Sequence, residues 1–255
     1  MVCLLQREDY LDYCKRFKRV ERYLMSKSAS PDIVAYNICK LREYYPERMS
    51  RVLIDAGFMY IEEDSSVYEP LINGTEDLGL FSNGTFLLAN RFIFPVRDML
   101  GNTIALIGWF PDDKKYITTP SRLFSKSCLY YGMERVGEVG IGKNFFLVEG
   151  IFDRLSIQSL GLNAISQMGI SSSRFKESMY PLFKSLVGIP DNDSQGRSVV
   201  SENKWSLPTS SRYFTWSGDS AKDIDLLINS YEKEDIRELL WGLFKRDEYV
   251  VNEKF

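Results

Sequence analysis

No histidine occurs anywhere in these 255 residues. That absence excludes serine–histidine–aspartate and cysteine–histidine catalysis, imidazole proton shuttling and histidine-ligated metals. Cysteine is nearly as scarce. Cys3, Cys14, Cys39 and Cys128 are scattered with no Cys-x-x-Cys pair, which argues against a zinc ribbon and against a disulfide framework. Long apolar runs are missing too; those present, such as Phe145-Phe146-Leu147-Val148, are far too short to cross a bilayer. The first residues, Met-Val-Cys-Leu-Leu-Gln, turn charged at once and lack a secretory pattern, so a cytoplasmic protein with no membrane partner is expected. Carboxylates, lysines, arginines and hydroxyls remain to carry chemistry, and oxygen ligands favour hard cations such as Mg²⁺ or Mn²⁺.

The rest of the composition is that of a globular chain able to bury a core, with 44% hydrophobic and 26% charged residues. A formal net charge of −3 conceals an uneven distribution. Lys and Arg outnumber Asp and Glu over 1–60 and over 86–143, whereas 61–85 has acidic residues and no basic one. The acids elsewhere are therefore candidates for metal ligands rather than mere repulsive surface.

Periodicity predicts a mixed α/β protein. Tyr10, Tyr13, Cys14, Phe17, Val20 and Leu24 recur at helical steps, with Lys15, Lys18, Arg19 and Arg22 forming a second stripe. Ser30-Pro31-Asp32 and Pro46-Glu47 open two further helices, and 61–85 reads as an acidic loop region with Asn73-Gly74 and Asn83-Gly84 turns. Residues 91–108 read as strand, turn, strand, with Pro95 marking an edge or a bulge. From Asn144 onward short apolar strands alternate with helices, which argues for a small, mainly parallel sheet flanked by helices. Expected strands are 145–148, 163–165, 186–189 and 213–216; expected helices are 151–160, 173–183, a short one after Gln195, 220–229 and an amphipathic tail from Glu232 to Lys245.

Three acidic clusters share one placement, each just past a predicted strand: Glu149-Gly150 with Asp153, Asp191-Asn192-Asp193, and Asp223-Ile224-Asp225 after Lys222. In open parallel sheets, sites form at the carboxyl ends of the strands. Carboxylates converging there repel one another unless a cation neutralises them. Helix capping explains Asp223 as readily and a plain turn competes for Asp191–Asp193, but three such placements in one chain favour a shared site.

In this order the clusters resemble the acidic motifs of the Toprim domain, found in DnaG-type primases, topoisomerases and some nucleases. Upstream, only the primases agree. Asn90-Arg-Phe-Ile-Phe-Pro-Val-Arg-Asp98 with Gly101 and Gly108, Lys115-Tyr-Ile-Thr-Thr-Pro120, and Leu123-Phe-Ser-Lys126 with Leu129-Tyr-Tyr-Gly132 resemble primase-core segments, and Ser166-Gln-Met-Gly169 resembles the turn after the second Toprim strand. Two positions depart from that pattern: Trp109 stands where primases typically have arginine, and Ile170 where they have threonine.

The resemblance implies a DNA primase making short RNA primers from ribonucleoside triphosphates on single-stranded DNA. It implies that Glu149, Asp191, Asp193, Asp223 and Asp225 hold Mg²⁺ or Mn²⁺, with the first three catalytic, and that Lys115, Lys126, Arg91 and Arg97 contact nucleotide or template. For the four basic residues, solvated surface charge is the competing reading. Trp109, Tyr116, Tyr130 and Tyr131 could stack bases, although buried packing is the expectation for most aromatics. The expected organisation is a helical subdomain over 1–85, a basic strand-rich subdomain over 86–143, the Toprim domain over 144–230 and a helical tail over 231–255. With no zinc-ribbon ligands, the chain is expected to act as a bare core, as in a bacteriophage primase, relying on a replicative helicase and a separate template-recognition partner. The alternatives are a Toprim nuclease and a catalytically silent adaptor that binds single strands and a helicase.

Overall fold

Alternating apolar runs dictate the architecture, and the computed structural model describes it over residues 7–28, 59–60, 71, 73–89, 91–110, 115–120, 124–170, 172–217, 221–248 and 250–254. Two compact units divide the chain, Met1–Ser125 and Lys126–Phe255. The helices expected from Ser30 and Pro46 fall outside the described residues.

In the first unit the helical stripe forms α1, Arg7–Ser28, and buries Tyr13, Cys14, Phe17, Val20 and Leu24. A four-stranded antiparallel sheet runs in the order β1 (Met59–Tyr60), β4 (Phe92–Arg97), β5 (Thr103–Phe110), β6 (Lys115–Thr118). Tyr13 donates to the Ile104 carbonyl at 2.9 Å, which ties α1 to β5. Asp98 closes the turn between β4 and β5 by accepting from the backbone N–H groups of Leu100 and Asn102, both at 2.8 Å. Pro95 lies beyond the two residues of β4 that pair with β1, so its missing N–H forfeits no described bond there, and the register shifts next to it at Val96/Arg97. Asn83 and Gly84, both at positive φ, turn the hairpin between β2 (Phe81–Ser82) and β3 (Thr85–Phe86).

The second unit is built on a five-stranded parallel sheet: β7 (Lys143–Val148), β8 (Ala164–Ser166), β9 (Phe183–Ile189), β10 (Arg212–Ser217) and β11 (Val250–Lys254), in the order β11-β10-β9-β7-β8. The central strands are apolar on both sides because helices cover both faces. On one face Phe146, Val148, Val187, Ile189, Phe214 and Trp216 pack with residues of α3 (Ile151–Ser159), α6 (Ile224–Ser230) and α7 (Lys233–Leu243). On the other, Phe145 meets Phe183 edge-on, and Tyr213 packs against Trp205. The remaining helices are α2 (Met133–Val139), α4 (Arg174–Glu177) and α5 (Ser194–Ser201).

Two expectations are corrected here, and one helix is added. The helix expected over 173–183 stops at Glu177 and gives way to a single 3₁₀ turn, Tyr180–Leu182, because Pro181 cannot continue it. The tail is not wholly helical: after α7 the chain returns as β11 and pairs residue for residue with β10 from Tyr213↔Val250 to Ser217↔Lys254. Helix α2, set between Gly132 and Gly140, was not expected at all.

Candidate active site

Strand β7 has β8 on one side and β9 on the other, so successive connections wind in opposite directions from it. Loops leaving the carboxyl ends of β7 and β9 therefore diverge and open a crevice. Val148 pairs with Ile189 at that end; Glu149 follows the first strand and Asp191 lies two residues past the second. The sequence thus delivers two of its expected acids to the place where parallel sheets bind ligands.

Glu149 is half-buried, its Oε2 has no hydrogen-bond partner, and its carboxylate accepts from the Asp191 backbone N–H. Burial first, and then the charge of Asp193, raise its pKa against the pull of that N–H and of Lys222. Asp191 is pushed up to about 7 by burial, then by Glu149 and Asp223, with Lys222 again opposing. Asp193 caps α5, its Oδ1 accepting from the N–H groups of Gln195 and Gly196 at 2.9 Å, while Oδ2 lies 3.8 Å from the Lys222 amine. Asp223 caps α6 through the Leu226 N–H at 2.8 Å. Capping and site-building are therefore compatible, since a cap engages one oxygen and leaves the other for a ligand.

Asp225 is placed differently. It is buried and accepts from Ser156 and, at 3.0 Å, from the Asn229 amide. Asp153, which stood outside the expected ligand set, is also buried; its Oδ2 accepts from the Gly150 N–H at 2.9 Å. Burial, followed by the charges of Asp191, Asp223 and Asp225, drives its pKa well above the carboxylate range. Gly150 makes this approach possible, because a Cβ there would lie 2.7 Å from Asp153 Oδ2.

Gly196 lets α5 begin directly against Asp191: an added Cβ would fall 1.8 Å from the Asp191 carbonyl oxygen. Gly196→Ala is therefore expected to displace the Asp191 loop and destabilise the protein by about 1–3 kcal/mol. Urea unfolding would show the loss, and an unchanged midpoint would mean that the close approach has no structural weight. Beside Asp191 opens a cleft of about 640 Å³, lined also by Asn192, Arg197, Thr215, Trp216 and Lys222.

Among the described residues no three acidic or cysteine side chains already enclose a point where an ion could sit. The donors nevertheless fit a hard divalent cation. They are carboxylates, the charge of Asp193 raises the pKa of Glu149 while Glu149 and Asp223 raise that of Asp191, and a buried Glu149 oxygen is unpartnered. An ion would supply the charge that their burial lacks.

Of the expected basic residues, Lys126 is exposed in the second unit. In the first unit Arg91 is half-buried with its guanidinium over the Phe110 ring at 5.4 Å and its Nη1 without a hydrogen-bond partner. Gly108 makes room for it, since a Cβ there would lie 2.9 Å from Arg91 Cδ. Arg97 turns to fully buried Glu21 at 2.5 Å, which also accepts from Thr103 and from Lys18 at 3.1 Å. Lys115 begins β6, and its side chain lies outside the described residues. Trp109, Tyr130 and Tyr131 are buried, as expected for packing aromatics, while Tyr116 is exposed.

Residues 146–228 match the Toprim-like family. A DNA primase of Clostridium acetobutylicum is 31% identical over 116 residues, 44% of this chain and 20% of the relative. A DNA primase of Haemophilus influenzae is 23% identical over 249 residues, 91% of this chain and 40% of the relative. The chain thus spans less than half the length of either. Among solved structures, the DnaG primase catalytic domain bound to ssDNA superimposes with a TM-score of 0.74 at 17% identity, covering 93% of this chain and 80% of the other. The fold is that of a DnaG-type primase core. The Aquifex aeolicus primase, with its zinc-binding and RNA polymerase domains, agrees at a TM-score of 0.70 and 22% identity, covering 93% of this chain and 62% of the other. In the DnaG-type fold of this chain, the Toprim-like match covers β7 to β10 and reaches into α6. Lys222 and Asp153 are the residues near the carboxylates that sequence reasoning left without a role. For Asp153 the available signal was its spacing, one helical turn past Gly150 at the start of α3.

Proposed function

We propose that this chain is the catalytic core of a DNA primase, joining ribonucleotides into short RNA on a single-stranded DNA template. The observation that carries the reading is the meeting of Glu149 and Asp191 at the β7–β9 switch point, within electrostatic reach of Asp193 and Asp223. Mg²⁺ or Mn²⁺, when bound, would supply charge to bind triphosphates and acidify the primer 3′-hydroxyl. Glu149, Asp191, Asp193 and Asp223 are the proposed ligands. Asp225, already bonded by Ser156 and Asn229, is proposed to brace the start of α6 beside them.

Lys222 balances part of the negative charge through Asp193 and, with Arg197, gives the cleft beside Asp191 a cationic edge suited to phosphates. Lys126, Lys115 and Arg91 are proposed to contact nucleotide or template; Arg91's support is a buried guanidinium nitrogen still without an acceptor. Arg97 is proposed to serve the first unit through Glu21 rather than a phosphate. No described helix is long and apolar enough to cross a membrane, and the proposed setting is the cytoplasm, with a bacteriophage as a proposed source. A separate template-recognition protein and a replicative helicase are the further proposed partners.

The test is direct. Purified chain, single-stranded DNA, ribonucleoside triphosphates and Mg²⁺ or Mn²⁺ are expected to yield short RNA. Cleaved DNA would favour a Toprim nuclease instead, and binding with no product would favour an adaptor.

A further inference from the structure

Glu149 owes its position to the turn that follows β8. Gln167 donates its backbone N–H to the Val148 carbonyl at 2.7 Å, and Met168 donates to the Glu149 carbonyl at 3.0 Å. Ser166 Oγ donates to the same Glu149 oxygen at 2.9 Å. The turn thus prolongs the β7–β8 pairing by one residue and fixes the backbone from which the carboxylate projects. It is a demanding conformation, with Met168 at φ 56° and Gly169 at φ 147°. The Gln167 side chain does not help hold it, being buried with neither amide atom hydrogen-bonded.

What holds the turn from beneath is Lys176, on α4. Its amine donates to the Gln167 backbone carbonyl and lies 5.2 Å from the centre of the Tyr130 ring. The residue is only 2% exposed, and among the described residues it has no carboxylate partner. Burial pushes its pKa down to about 7, with nearby Cys128 opposing and the charge of Lys126 adding to the fall. A buried amine without a counter-ion destabilises a fold, so a long apolar side chain would serve packing better. The backbone around it is locked as well: Ser173 Oγ caps α4 through the Lys176 N–H at 3.2 Å and itself donates to the Ser127 carbonyl at 2.5 Å. The same short helix therefore touches the segment after Lys126 and the turn that braces Glu149.

We propose that Lys176 is a positioning residue for metal binding, its amine anchoring the Gln167 carbonyl so that the turn presents Glu149 to the cation. The inference rests on the metal reading above. The test is Mn²⁺ titration of the full chain by calorimetry, alongside thermal unfolding, for wild type, Lys176→Met, Lys176→Gln and Glu149→Ala. Met matches the length of the lysine stem but donates nothing; Gln retains a neutral N–H donor. Lys176→Met is expected to bind Mn²⁺ about five- to tenfold more weakly, the effect of one lost hydrogen bond, with an equal or higher melting temperature. Lys176→Gln is expected to fall between it and wild type, and Glu149→Ala to lose most binding. Lys176→Met binding within twofold of wild type would overturn the proposal. So would equal losses in Met and Gln accompanied by lower melting temperatures, the mark of packing alone. Wild type without measurable Mn²⁺ binding would overturn the metal reading itself, a different result from wild type binding well and the lysine variants matching it.

Discussion

Asp191→Asn is expected to melt at a higher temperature than wild type in EDTA while making no detectable RNA. Two consequences of one arrangement oppose each other here. Asp191 is packed beside Glu149, Asp193 and Asp223 with Lys222 as the opposing cation, and burial removes much of the water that would otherwise soften their repulsion. An amide of the same shape removes a charge from that group and keeps the loop geometry set by Gly196. The neutral residue also deprives a cation of a central ligand, so synthesis should fall on the order of a thousandfold or more. Thermal scans with EDTA and a gel assay for RNA measure both halves. Synthesis within twofold of wild type would remove Asp191 from the site, and a lower melting temperature would mean that its charge stabilises the apo protein.

The metal-free protein should have an unusual pH profile, which divalent cations should reshape. Asp191 holds its proton up to about 7 when folded, against an ordinary value near 3.8. The folded state therefore binds more protons between those values, and stability falls as pH rises through that window. Lys176 acts in the other direction: lowered from 10.5 to about 7, it leaves the folded state with fewer protons than the unfolded chain above neutrality, so stability recovers as pH rises further. Together these two groups place a minimum near pH 7. Mg²⁺ or Mn²⁺ at a hundred times its dissociation constant should add about 2.7 kcal/mol, a rise of roughly 5–10 °C for a chain of this size. The gain should shrink below pH 7, where protons compete for Asp191. Melting temperatures between pH 5.5 and 9, with EDTA or with metal, would expose the pattern; a metal effect equal at both ends would contradict it.

The parallel sheet was legible in the sequence because its central strands are buried on both faces and therefore read as apolar runs, Phe145–Val148 and Leu186–Ile189 above all. The acids after them were legible for the same reason, since each run ends abruptly in charge. Strand β11 was not: it lies at the edge of the sheet, its Val250 and Asn252 are exposed, and Val251 is the one described side chain of the strand in the core. Arg97 looked like a free cation because its partner, Glu21, is 76 residues away in sequence. The burial of Asp153 and Asp225 was equally hidden, because it arises from α3 packing on α6 and not from any local pattern. Local spacing revealed which residues could gather at the crevice, and the resemblance marked the turn after β8; the lysine beneath that turn follows from tertiary contacts.

The outer strand β11 limits how this molecule can be divided. The family match stops at residue 228, yet Ile236, Leu240 and Leu243 of α7 and Val251 of β11 close the same hydrophobic layer as Phe214 and Trp216. A gene fragment trimmed at that limit would display two large aromatic neighbours and an unpaired strand to solvent, a surface that invites clumping. Any attempt to express the second unit by itself should therefore run through Lys254.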